Sequence, residues 1–177
     1  MSYNPAWNAT FAKPLVNQAI ALIQRDQAAA ISIVNQALQP ISEFHKGPSM
    51  RTAFPWLLLA VNGLAFDRAQ PLTRHAEAHL SFMLETGQFD QEFAQDLAQD
   101  YAQMLDMILT TATGNDWMTA LPIVHETVPA GTTTPPESAS VKDVFIESHK
   151  YDLITLPEID APVMRVTLDV LFELEET

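Results

Sequence analysis

Two hydrophobic periods alternate along the chain. From Pro14 to Pro40, Val16, Ala19, Ile20, Ile23, Ala30, Ile31, Val34, Ala37 and Leu38 recur every three or four residues, the spacing of one helix face. Pro14 suits a first helical turn, and Pro40 ends the helix at or before Gln39. Gln27 interrupts the stripe, so a bend is expected near residues 26–28. A second helical pattern runs through Phe89, Phe93, Leu97, Tyr101, Leu105 and Ile108, with Ala94, Ala98, Met104 and Leu109 beside it. Asp90 is its candidate N-cap, Glu92 suits the positive helix start, and Gly114 follows the end; this predicts about six turns.

Between and after the helices the period drops to two. Ala76, Ala78, Leu80, Phe82 and Leu84 alternate with Glu77, His79, Ser81, Met83 and Glu85, which predicts a strand with one face buried. Near the C-terminus, Met164, Val166, Leu168, Val170, Phe172 and Leu174 alternate with Arg165, Thr167, Asp169, Leu171 and Glu173. Residues 144–149 and 151–156 read as one irregular strand or two pieces, forming with the last segment an antiparallel hairpin. Trp56–Val61 is a short apolar run that ends at the turn dipeptide Asn62–Gly63, after a Gly- and Pro-containing loop over residues 45–55. The fold class is therefore α+β: a mainly antiparallel sheet with two amphipathic helices on one face, in α-β-β-α-β-β order. Residues 1–177 read as one domain with a long Thr/Pro-rich loop at 113–140, within which residues 123–128 are a candidate short strand.

Composition narrows the function classes. With 9 Lys and Arg against 22 Asp and Glu, the formal net charge of −13 argues against a surface held on nucleic acid by phosphate contacts and against a basic membrane-surface protein. The charge is lopsided: residues 1–76 carry +3 and residues 77–177 carry −16. There is no Lys or Arg between Arg74 and Lys142. An acidic stretch of this kind keeps a protein soluble, repels an anion or docks a basic partner. The absence of cysteine excludes disulfides, thiolate metal sites and a Cys nucleophile. The first residues lack a signal-peptide pattern and no apolar run is long enough to span a bilayer, so synthesis in the cytoplasm is the expectation.

The chemistry-bearing motifs are sparse. His75, Glu77 and His79 form H-x-E-x-H, which on a strand points all three side chains to one polar face. A metal there would need a third ligand from His45, His125 or His149, and the zincin spacing is absent. No nucleophile elbow, P-loop or dinucleotide fingerprint occurs, and Asp96, Asp100 and Asp106 read as a solvated helix face. Trp7, Trp56 and Trp117 read as packing residues. We expect no enzyme, no catalytic residues, no cofactor and no metal. The runner-up is a small α+β metal-binding protein or enzyme using His75 and His79, and a third reading is an acidic adaptor for a basic partner. Within the long loop, Trp117, Met118, Leu121, Ile123 and Val124 are apolar enough to seek burial against a neighbour, making them the candidate interface.

The order of elements resembles the tail-terminator and related neck or tail-completion proteins of tailed bacteriophages. The matching stretches are PLVNQAIALIQRDQAAAISIVNQAL, FPWLLLAVNG with HAEAHLSFMLETG, FDQEFAQDLAQDYAQMLDMIL, and KDVFIESHKYDLITL with PVMRVTLDVLFELEE, covering about residues 14–175. That resemblance implies a non-enzymatic virion protein, made in the host cytoplasm, that forms a ring at the head-proximal end of the tail tube. A hexamer is the implied ring, with tail-tube and neck proteins as partners and neither membrane nor sequence-specific nucleic acid. The acidic balance suits such a ring, because an anionic lumen repels passing DNA. Purified protein should hold no stoichiometric zinc by elemental analysis; about one metal per chain, lost in His75→Ala, would overturn the non-enzymatic expectation.

Overall fold

The computed structural model describes residues 6–47, 53–67, 75–87, 91–112, 117, 121–122, 138–156 and 161–176. In chain order the elements are α1 (Ala6–Val34), β1 (Glu43–His45), β2 (Trp56–Asp67), β3 (His75–Glu85), α2 (Gln91–Thr111), β4 (Leu121–Pro122), β5 (Ser138–Leu156) and β6 (Ala161–Glu176). They form one six-stranded sheet in the order β1-β2-β3-β6-β5-β4. Every pairing is antiparallel except β1 with β2, and both helices contribute to the core on one face. The α+β class and the order of the main elements are those the two hydrophobic periods predict.

The register shows why the face is one-sided. Ala78 pairs with Phe172, Leu80 with Val170, Phe82 with Leu168 and Leu84 with Val166, and all eight side chains are fully buried. Directly opposed residues point to the same face, so these pairs form the floor of the core. Leu15, Ala19 and Ile23 of α1 and Ala98, Met104 and Leu105 of α2 close over it. The buried arc of α2 is centred on Ala98, Tyr101 and Leu105, which leaves Phe93 on its margin and 52 % exposed, contrary to its expected place in the stripe. Asp90, Phe89 and Gly114 lie outside the described residues.

Other expectations are corrected, while the first helix does stop before Gln39 as expected. The first helix begins eight residues before Pro14, so this proline sits in the helix interior and has no N–H to give to the preceding turn. The helix ends at Val34, short of Pro40. Asn35 takes over there, its side-chain oxygen accepting from the Ala37 N–H at 2.9 Å and its amide donating to Asp100 of α2 at 2.7 Å. Gln27, read as an interruption, accepts the Ile41 N–H at 2.8 Å and anchors the chain leaving the helix. Asn62–Gly63 is a bulge rather than a turn: Val61 opposes Leu80, Gly63 opposes His79, Asn62 is left over, and β2 continues to Asp67. The 45–55 segment gives up His45 to β1, where Glu43–His45 run parallel to the start of β2.

Within the antiparallel hairpin, β5 is one continuous strand with two irregularities, between Val141 and Asp143 and between Ile146 and Ser148. In the 113–140 segment, Leu121–Pro122 pair with Ser138–Ala139, and Trp117 is buried against Phe172 with ring centroids 5.5 Å apart. The candidate strand at 123–128 lies outside the described residues.

Phe82→Asp or Leu168→Asp should bury an unpaired carboxylate at a cost of several kcal/mol, comparable with the whole stability of about 5–15 kcal/mol of an ordinary domain. The adjacent Thr167→Asp, on the opposite face, should stay within about 0.5 kcal/mol of wild type. Thermal unfolding followed by circular dichroism checks both; the reverse ranking would mean a register one residue out.

Candidate functional site

The sheet face turned away from the helices carries the polar half of each alternating strand. Cross-strand pairing arranges it in rows. At one end, Glu43, Trp56, Glu85, Arg165 and Asp152 follow one another across five strands. Glu85 is fully buried there, and both of its oxygens are used: Trp56 Nε1–H donates to Oε2 at 2.6 Å, and Arg165 Nε donates to Oε1 at 3.0 Å. A second Arg165 nitrogen reaches the same Oε1. Removing one partner of such a pair would strand a buried charge, so the row pins three strands in register.

The middle of the face holds a hydrogen-bonded node centred on Asp169. Ser81 donates to Oδ1 at 2.6 Å, Ser148 donates to Oδ2 at 2.8 Å, and the Lys150 ammonium donates to the same oxygen. Asn62, the bulged residue of β2, donates its amide to Ser81 Oγ. Glu147 is left out of register by the β5 bulge and lies 3.3 Å from His79 Nδ1. The bulges at Asn62 and Glu147 therefore border one open cleft of about 730 Å³, floored by Ser81, Ser148 and Asp169 and rimmed by Asn62, His79 and Glu147. The hydrogen bonds from Lys150, Ser81 and Ser148 hold the Asp169 carboxyl down at about 2, and the same contact raises Lys150. A carboxylate so acidic is a poor general base near neutral pH, and the two serines donate to it, so neither is activated as a nucleophile.

At the far end the face is acidic. Glu77 opposes Glu173, and Glu173 opposes Asp143, which places three carboxylates in one row, with Glu175 in the next. Directly opposed like charges are destabilising. Among the described residues, the basic side chains paired in register on this face, Lys150 and Arg165, are engaged by Asp169 and Glu85, and Lys142 is bulged beside Asp143.

The residues singled out from sequence are scattered by the fold. The register puts Glu77 and His79 on this face as expected, with His75 paired to Glu175 at the start of β3, but His45 stacks edge-on to Trp56 and pairs with Glu43 at 3.1 Å. His149 points to the helix side, 3.8 Å from Asp106. Among the described residues no group of three or more potential ligands could hold a metal ion, and His125 lies outside them. Asp100 and Asp106 are engaged by Asn35 and His149, while Asp96 is exposed. Of the candidate interface, Trp117 is covered by its own chain at 2 % exposure, because Phe172 and the core take up its ring. Leu121 is placed in β4, and Met118, Ile123 and Val124 lie outside the described residues. Sequence reasoning missed the Asp169 node and the Glu85 row. Their only sequence signal is the polar residue at most outward positions of β3 and β6, Met83 and Leu171 being apolar exceptions.

No model of a known protein family matches this chain, and no curated protein sequence is similar to it.

The node makes stability depend on pH. Its carboxyl titrates near 2 in the folded chain and near the model-compound value of 3.8 when unfolded, so its contribution is complete above about pH 4 and is lost as pH falls through 2. Solvent reaches the group and screens it, which limits the effect to about 1 kcal/mol. Urea unfolding of wild type and Asp169→Asn should show that gap at pH 7 and its closure near pH 2. A gap independent of pH would mean that the carboxylate's charge is not what stabilises the node.

Proposed function

We propose that this chain is a non-enzymatic structural protein of a phage or prophage virion, forming a ring at the head-proximal end of the tail tube as a tail terminator or neck protein. The observation that carries the reading is the two-faced sheet: helices cover one side, and the other is an open face ending in the Glu77–Glu173–Asp143 row. A row of opposed carboxylates costs stability in a lone domain, and it becomes useful where an anionic polymer must pass without adhering. The order of the main elements supports the same reading. No helix among the described residues is long and apolar enough to cross a membrane. On this reading the chain is made in the host cytoplasm and resides in the virion, with tail-tube and neck proteins as partners.

With a net charge of −13, like subunits repel, so association should strengthen as salt shortens the screening length to about 8–10 Å. Size exclusion with light scattering at low and high salt, at roughly tens of micromolar, should give a ring mass that is a fixed multiple of 19.6 kDa, sixfold for the hexamer. A strictly monomeric protein at both salts would count against the reading.

A further inference from the structure

The helix side of the molecule carries a small apolar cavity and, on the opposite flank of α2, the side chains that fit it. The cavity, about 160 Å³, lies between the chain leaving α1, the segment entering β2 and the first turns of α2. Its walls include Ala37, Phe54, Pro55, Phe93, Leu97 and Tyr101. Among the described residues no ionisable side chain except the Tyr101 phenol lines it, and that phenol is fixed by donating to the Gln39 carbonyl at 2.8 Å and accepting the Gln39 N–H at 3.1 Å. Burial pushes the phenol up to about 12, so it stays neutral across the physiological range. An apolar cavity of about 150 Å³ accommodates one benzene-sized group, so this one takes a single neutral side chain.

Such side chains protrude from β5. Tyr151 opposes Val166 and Leu153 opposes Met164, which puts both on the helix side of the sheet. Their β6 partners are buried, yet Tyr151 is 39 % and Leu153 is 50 % exposed. β5 lies on the far side of β6 from β3, whose end supplies the Thr86–Gly87 wall of the cavity, and α2 packs over both β5 and β6. The helix therefore separates the protruding side chains from the cavity of their own chain, whereas those of another copy have open access.

We propose that copies of this chain associate head to tail, Leu153 of one entering the Ala37–Leu97–Tyr101 cavity of the next, with Tyr151 on its rim. A contact between two different patches of the same molecule is heterologous, and its repetition generates a ring or an open filament according to whether the rotation closes. The inference rests on the ring reading above and names its interface. Neutral groups on both sides suit a strongly anionic chain, because this contact adds no charge repulsion to that of the whole.

The test uses two full-length variants. Leu153→Asp spoils the protruding side chain at an exposed strand edge, and Ala37→Trp fills the mouth of the cavity from an exposed position. Each should weaken self-association roughly tenfold or more, as expected for a central anchor, with circular dichroism and melting temperature unchanged. Mixed one to one, they should form a heterodimer and stop there, since each retains one working surface. Wild-type assembly that neither variant weakens would overturn the inference and leave the ring reading standing. So would two monomeric variants that fail to pair when mixed, or a wild type that stops at a dimer, the result expected of a two-fold symmetric contact. Wild-type open chains, broken by both variants and capped at a heterodimer in the mixture, would uphold the inference and sink the ring. A wild type monomeric at both salts would sink both.

Discussion

The pairing of β3 with β6 is the constraint on which the rest of the molecule depends. These strands lie at the centre of the sheet, and their inward residues are buried without exception from Ala76 to Leu84 and from Met164 to Leu174. Phe82, Phe172 and Trp117 form its aromatic centre, with Phe172 contacting both other rings. Because the side-chain period of a strand is two, that one register decides which face receives the helices and which remains polar. Both helices then have a single apolar surface to cover, and their own buried stripes meet it.

A sheet covered on one side leaves the problem of its other side. Here that surface is ordered by polar bonding rather than by packing. Glu85 ties β2, β3 and β6 together through Trp56 and Arg165, while Asp169 ties β3, β5 and β6 through Ser81, Ser148 and Lys150. Two bulges bring Asn62 and Glu147 to the margins of that node. Past it come a row of Phe145, Leu171 and His79 and then the opposed carboxylates of Asp143, Glu173 and Glu77, so the bonded centre of the face gives way to an acidic end along the strands.

The helix side offers a complementary contrast. It is apolar and sealed over the centre of the sheet, but open at the end where α2 begins. There a cavity and a pair of protruding side chains occupy different flanks of one helix. The acidic face and the apolar end are separate surfaces, which lets a charged surface stay in solvent while uncharged groups take part in contacts.

The amino-acid sequence by itself determined the fold class, both helical stripes and the inward faces of β3 and β6, because local periodicity is a direct record of which positions a strand or helix buries. It was misleading where one residue's chemistry allows two outcomes. Asn62–Gly63 has the composition of a turn and forms a bulge, since continued pairing of β2 with β3 outweighs a chain reversal. Trp117 looked like a surface seeking a neighbour, but Phe172, far along the chain, covers it. The polar sites were decided only by tertiary structure. Ser81 and Asp169 are 88 residues apart in sequence, and Trp56 and Glu85 are 29 apart. Each pair meets through the register between strands, which no local period encodes. The same holds for the cavity beside Phe93, whose walls come from four separate segments brought together by the packing of α2 on the sheet.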